Sequence, residues 1–510
     1  MRLIFFTLFV IISTAVSAVD FDKEVKKLDA YYAQSLKDWN VPGMAICIVK
    51  DGKVALSKGY GVKDVNTKAP VTPNSLFAVA SNTKAFTAAA LGMLVEEGKI
   101  SWDDKVQKYL PWFELYDPYV SANLTIRDLL CHRSGLETFS GDLIWYGSTH
   151  SRDEVLRRAK YLKQAYGFRS HFGYQNILFL AAGEIIPVVT GKSWEEFVRE
   201  RILQPAGMND AKLSVTEFRN GDDVALPHNE KNGANQTIDW VNWDNIAPAG
   251  ALLASANDMG KWLMLQLAKG KVNGDTLWSD NTAWEMWKMH TPEDISGWRR
   301  RLMPSMTFNG YGLGWELSNL HGKQIVSHGG GYDGMISRSI MVPEEGWGII
   351  IVTNNVSSLS YAMGMETLDR LLGSKEKNDW GNRLLKSKKE AEIAEKEAAA
   401  TAEEARVKDA KMSKSLSHYA GKYGGPMYGN MIIRVIGDQL AFQFEQTPLF
   451  RGTLRHWHYD TFQLNWGTSM MLPSGFIRFS LDNEGNIDEL FVDVDNPDFD
   501  FSELQFKKLD

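Results

Sequence analysis

The sequence predicts an α/β (α+β) sandwich followed by a C-terminal antiparallel β-barrel. Three observations predict it. Helical segments lie between an N-terminal and a C-terminal block of strands, the pattern of a sandwich whose sheet is built from both ends. Between Glu376 and Met412 the composition turns to Ala, Glu and Lys. From about Ser413 only short, closely spaced strands follow, as in a small barrel. A length of 510 residues exceeds one ordinary core, so two or more domains are expected.

In chain order, residues 1–18 read as a signal peptide. Arg2 is its basic start, residues 3–12 are apolar, and Val16-Ser17-Ala18 offers small residues for cleavage after Ala18. The apolar run is too short to span a bilayer, and no later stretch reaches that length. A secreted or periplasmic chain without a transmembrane span is expected. Residues 19–375 carry the sandwich. Residues 45–49 and 53–57 read as a hairpin turning at Asp51-Gly52. A helix opens at Ser81, with Phe86, Ala90, Leu91 and Leu94 on one face and Gly98 as its stop. Residues 125–130 start another helix. Residues 174–189 are apolar and long enough for a buried helix, and residues 194–203 form an amphipathic one ending near Pro205. Residues 324–327, 336–342 and 348–353 read as strands.

Residues 376–412 read as an exposed, charged helical linker, polar nearly all round, with Glu392 and Lys396, and Glu404 and Lys408, as i,i+4 pairs. Residues 413–510 make the barrel, which is expected to fold as a separate unit. Residues 431–436 and 440–444 flank Gly437-Asp438, and residues 476–481 and 487–492 flank residues 482–486, giving two hairpins. His456 and His458 share a strand face but lack a third ligand, so no metal or other cofactor is expected.

A formal net charge of −7 argues against nucleic-acid binding, because no basic field attracts phosphates. Two cysteines, Cys47 and Cys131, exclude a disulfide framework; an oxidising compartment permits one bridge between them without indicating it. Neither has a nucleophile signature.

The chemistry-bearing motif is Ser81-Asn82-Thr83-Lys84. A helix start favours negative charge, and Lys84, three residues on, shares the face of Ser81. A hydroxyl beside an amine is the minimum apparatus of a serine nucleophile. The spacing recurs at Ser374-Lys375-Glu376-Lys377, in a charged stretch that is given no role. Tyr174-Gln175-Asn176 opens the long apolar helix. A tyrosine beside a lysine ammonium can be held as phenolate and serve as general base, and Asn176 could orient both the lysine and a substrate carbonyl. His328-Gly329-Gly330-Gly331 follows a strand expected to end at Ser327. Its glycines let a substrate backbone approach and a backbone N–H face an oxyanion.

In the order Ser81-x-x-Lys84, Tyr174-x-Asn176, His328-Gly329-Gly330, the sequence resembles the serine β-lactamase and penicillin-binding-protein superfamily, in its class C-like branch with related esterases and D-aminopeptidases. Leu129 through Leu136, Pro205-Ala206-Gly207-Met208 and Tyr311-Gly312-Leu313-Gly314-Trp315 extend the likeness over roughly residues 25–370. The C-terminal part resembles a lipocalin-like barrel appended to some of these hydrolases. The resemblance implies a sandwich of the β-lactamase/transpeptidase type, Ser81 as acylated nucleophile, Lys84 lowering its pKa and relaying protons, and Tyr174 as base. It implies an oxyanion hole from the N–H groups of Ser81 and Gly331. His328 stands where the family usually has lysine, which favours esters or peptides lacking a carboxylate at that spot. The expected partner is a small-molecule ester or peptide substrate, with a homo-oligomer left open. A β-lactamase or DD-peptidase acting on cell-wall material is the alternative enzyme. A catalytically silent binding or assembly protein is the alternative of another class, against which the intact Ser81, Lys84, Tyr174 and Asn176 argue.

Overall fold

The structure, a computed structural model, describes residues 19–376, 378–467 and 471–509; the expected signal peptide and its cleavage after Ala18 lie outside the described residues. Eight antiparallel strands form the central sheet: β1 (Gly43–Lys50), β2 (Lys53–Gly61), β3 (Thr291–Pro292), β4 (Asn309–Tyr311), β5 (Glu316–Leu320), β6 (Lys323–Tyr332), β7 (Met335–Val342) and β8 (Trp347–Thr353). Their order is β2-β1-β8-β7-β6-β5-β4-β3, so the first and last strands of the sandwich meet where β1 pairs with β8. The β1–β2 turn has positive φ at both Asp51 and Gly52, the backbone that a two-residue hairpin requires.

Strand periodicity sorts β1 into two cores. Met44, Ile46 and Ile48 face one layer; Ala45, Cys47 and Val49 face the other. The principal helices are α1 (Phe21–Asp38), α2 (Thr83–Glu96), α3 (Asn176–Thr190), α4 (Ala256–Leu267), α5 (Leu359–Leu371) and α6 (Trp380–Ala405). The first layer is α1, α5 and the start of α6, packing Leu28, Tyr32, Met363 and Trp380. The second holds α2, α3 and α4. Cys47 and Cys131 are both buried free thiols.

Three features differ from the sequence expectations. The helix after Ser81 begins at Thr83, because residues 80–82 form a tighter 3-10 turn, and every residue from Thr83 to Leu94 is buried. An all-round apolar helix belongs in the middle of a layer and has no solvent face. Second, β6 does not end at Ser327; it runs through His328-Gly329-Gly330-Gly331 and turns at Asp333-Gly334, where Gly334 has φ +72°. Its partner β5 stops pairing at Ser327, so residues 328–332 carry β7 on one side and an open edge on the other. Third, α6 is not exposed throughout. Trp380 is fully buried and gives its indole N–H to Asp369 Oδ2 at 2.7 Å, while Trp39 gives its own to Gly381 O at 3.1 Å. Residues 389–405 are exposed, as their composition suggests.

The C-terminal strands close an eight-stranded antiparallel barrel: β9 (Gly421–Gly425), β10 (Gly429–Ile436), β11 (Gln439–Phe444), β12 (Arg451–His458), β13 (Thr461–Trp466), β14 (Gly475–Leu481), β15 (Ile487–Asp493) and β16 (Gln505–Lys508). Both expected hairpins are present, and β16 closes onto β9 with Tyr423 opposite Lys508. The barrel does not stand apart. Thr149 N donates to Gln446 O at 2.7 Å, Arg158 Nη1 donates to Pro426 O at 2.6 Å, and the rings of Tyr146 and Phe499 lie 4.4 Å apart.

Candidate active site

Ser81 stands on a pinned turn between the short strand Phe77–Ala78 and α2. Ala80 has φ +46°, a left-handed conformation that costs a non-glycine residue energy and persists only when its surroundings impose it. Here Asn82 Nδ2 donates to Ser337 Oγ at 2.8 Å, Ser337 Oγ to Val79 O at 2.7 Å, and Thr83 Oγ1 to Ala80 O at 2.6 Å. Gly330 lies against this turn. A Cβ there would fall 2.2 Å from Val79 O and 3.1 Å from Ser81 N, so the close approach requires glycine.

One helical turn on, Lys84 is fully buried. Its Nζ is 2.9 Å from Ser81 Oγ, 2.7 Å from Asn176 Oδ1 and 2.9 Å from Ala249 O. It also lies 4.8 Å from the centre of the Tyr174 ring and 5.4 Å from that of Phe179. Burial lowers its pKa to about 7, with the Asp142 carboxylate pulling the other way. An amine poised there is neutral in a large fraction at physiological pH. With N–H bonds to Asn176 and Ala249, it presents its lone pair to the Ser81 hydroxyl.

Asn176 opens α3, and its Nδ2 donates to Asp142 Oδ2 at 2.6 Å. Tyr174 comes from the segment just before and is held through its own main chain. Its N–H reaches Thr138 Oγ1 at 3.1 Å, and its carbonyl accepts from Phe139 N at 2.8 Å. The next residue, Gln175, donates its N–H to His132 Nδ1 at 3.0 Å. The Tyr174 hydroxyl shares a hydrogen bond with Ser81. Burial raises its pKa, Glu316 and Asp142 push it the same way, and the Ser81 hydrogen bond only partly opposes them. Tyr174 is therefore a phenol in the resting site, not the phenolate that its neighbourhood to a lysine suggests. Lys84 is the group whose free base is accessible.

His328 is buried with both ring nitrogens engaged. Nδ1 lies 2.5 Å from Gly329 O, and Nε2 lies 2.6 Å from the Tyr311 hydroxyl. A carbonyl can only accept, so Nδ1 carries the proton and Nε2 accepts from the phenol. Burial lowers the pKa to about 4, so the ring is neutral. Gly331 lies on the open edge of β6, where a Cβ would meet nothing closer than Ile336 Cδ1 at 3.8 Å.

A cavity of about 450 Å³ opens on this cluster, lined by Ser81, Tyr174, Asn176, His328, Gly330 and Gly331, with Lys84 beneath. The structure thus brings together every residue that the sequence singles out. It adds Asp142, Tyr311 and the His132 ring, whose centroid is 4.2 Å from that of Tyr174. It also adds a wall from the barrel: Asn496, Asp498 and Phe499 line the same cavity. Asp142 has no spacing signal, because it sits in a four-residue helical turn 34 positions from its partner Asn176. Among the described residues no group of His, Cys, Asp or Glu could hold a metal ion.

A serine hydroxyl bonded to a buried lysine amine, on a turn at the edge of an antiparallel sheet, has the parts that a serine nucleophile needs. The family model described as Beta-lactamase matches residues 28–374, and the chain belongs to that family. A second model, described as a domain of unknown function (DUF3471), matches residues 405–508, which include the barrel. The chain is 30% identical over 347 residues to unguisins hydrolase ungD' of Aspergillus campestris, spanning 64% of this chain and 61% of that protein. It is 26% identical over 338 residues to Protein flp of Staphylococcus aureus, spanning 64% and 63%. The matches thus span under two thirds of those relatives' own length. Its fold is similar to the octameric penicillin-binding protein homologue from Pyrococcus abyssi, with a TM-score of 0.62, 22% identity, and coverage of 95% of this chain and 100% of that one.

Proposed function

We propose that this chain is an exported serine hydrolase that cleaves an ester or an amide/peptide bond through an acyl-enzyme on Ser81, in the manner of an esterase or D-aminopeptidase. The observation that carries this reading is the buried Lys84, 2.9 Å from Ser81 Oγ with its pKa lowered to about 7. Ser81 Oγ attacks the substrate carbonyl as its proton passes to neutral Lys84. The N–H groups of Ser81 and Gly331 receive the oxyanion. The Tyr174 phenol gives its proton to the departing alcohol or amine and regains one from Lys84. A water then adds to the acyl carbon, losing its proton to the same pair, and Ser81 leaves protonated.

His328 supports a substrate without a carboxylate at its subsite, because its neutral ring has no spare donor for one. Arg299 at the rim acts on Glu316, which also pairs with Arg338, and on Glu293, which burial raises to about 7. The test is parallel labelling with a fluorophosphonate probe and a fluorescent penicillin. Rapid fluorophosphonate labelling with little penicillin labelling is expected. Strong labelling by both moves the reading to the β-lactamase or DD-peptidase class. Labelling by neither leaves the silent binding protein.

A further inference from the structure

The hydrogen bonds behind Lys84 do not stop at Asn176. Asp142 is buried, and both of its carboxylate oxygens are acceptors in use: Oδ2 takes the Asn176 amide N–H at 2.6 Å and Oδ1 takes the Trp145 indole N–H at 2.8 Å. Asn176 is thereby placed between a donor and an acceptor. Its oxygen faces the Lys84 amine at 2.7 Å, and its NH₂ faces the carboxylate. The reversed amide would set N–H against N–H on one side and oxygen against oxygen on the other. The orientation that holds Lys84 therefore depends on Asp142 remaining an acceptor.

Asp142 in turn stands on a tight turn whose anchor lies in the other domain. Gly141 has φ +82°, and a Cβ there would come within 2.8 Å of Leu162 and 2.9 Å of Ile177. Its N–H donates to Glu503 Oε2 at 2.9 Å, and Ser140 Oγ donates to Glu503 Oε1 at 2.5 Å. Glu503 sits on the turn between β15 and β16, where the Tyr428 hydroxyl also donates to it. It does not line the catalytic cavity.

We infer that Asp142 and Glu503 are positioning residues: Asp142 fixes the Asn176 amide that orients Lys84, and Glu503 ties the turn carrying Asp142 to the barrel, so that the barrel supports the chemistry from outside the cleft. The inference rests on the acyl-enzyme reading above. The charged and titratable groups around it are few. Asp142 faces Lys84, Glu503, Tyr174 and Tyr428; Lys84 acts on the buried rings of His132 and His328; Glu503 faces Asp500 and Tyr428. Lys84 and Asp142 titrate as a pair near neutrality. The negative charge raises the proton affinity of the lysine, so its removal frees the amine at lower pH.

The test is the pH–rate profile of the full chain on p-nitrophenyl acetate. Asp142→Asn keeps size but turns one acceptor into a donor. It is expected to lower kcat by about 10²-fold, the scale of a misplaced reacting group, with KM within a few-fold. The acid limb should move down by about one pH unit. A packing role alone would shrink the rate and leave the limb in place, and that result overturns the assignment of Asp142. Glu503→Gln should lower kcat by about 3- to 10-fold with KM unchanged; a wild-type kcat overturns the barrel's part. Should Asp142→Asn fail to fold, Glu503→Gln, on a turn at the barrel end, decides the inference. Ser81→Ala separates the two readings. If it still turns over, the acyl-enzyme itself is wrong; if it is inert while both other variants behave as wild type, only this inference falls.

Discussion

Lys84 is the residue on which the proposed chemistry turns. A fully buried ammonium is costly, and the one carboxylate of its network, Asp142, is joined to it only through Asn176. The lysine consequently gives up its proton near neutrality, and the Tyr174 phenol keeps its own. Hydrolysis of an activated ester should therefore rise with pH through about 7 and level off above it, as Lys84 passes to its free base. A steady-state pH profile checks this, and a rate that falls across that range sinks the assignment. Ser81→Ala should abolish covalent labelling and cost ~10⁴-fold or more in turnover. Tyr174→Phe keeps the ring against His132 and removes the proton donor; a loss of about 10²–10⁴-fold is expected in single-turnover acylation. An unchanged rate for that variant would leave proton transfer to Lys84 alone.

Among elements, β6 shows what the sequence could and could not disclose. Its start, residues 324–327, with Ile325 and Val326 at its centre, is legible as a strand. The glycines that follow look like the end of one, because glycine runs lack side chains to pack. They remain in the strand because β7 pairs with them to Tyr332, in a hairpin whose Asp333-Gly334 turn lies beyond the glycines rather than at them. The motif residues Ser81, Lys84, Tyr174 and Asn176 were legible because their spacings are short. Asp142 and the barrel's Phe499 were not, since only the folded chain brings them to the cleft. The glycines also separate by role. Gly330→Ala pushes a methyl against Val79 O and the Ser81 turn, so a destabilisation of about 1–3 kcal/mol with loss of acylation is expected. Gly331→Ala meets only ordinary contact and should melt as wild type does. Thermal unfolding of the two variants checks the contrast.

At the scale of the molecule, the barrel walls the cavity and is hydrogen-bonded to the sandwich domain through Glu503. A chain ending near Lys375 would lose Trp380 from the core as well as the barrel. Trp380→Ala by itself should cost about 3–5 kcal/mol, read from denaturant unfolding. A chain ending near Ala405 keeps that tryptophan but opens the cleft where Asn496, Asp498 and Phe499 stood. It should therefore lose discrimination among larger substrates as well as rate, which kcat/KM across an ester series would show.

The pairing of β1 with β8 sets Met44 opposite Thr353, about 300 residues later in the chain. At roughly 5–20 residues per second, a ribosome needs on the order of 15–60 s to deliver the partner after the first strand has emerged. Throughout that interval β1, with Met44, Ile46 and Ile48, can pair only with β2. The central sheet thus closes only late in synthesis, and until then the apolar faces of its first hairpin have no layer to cover them.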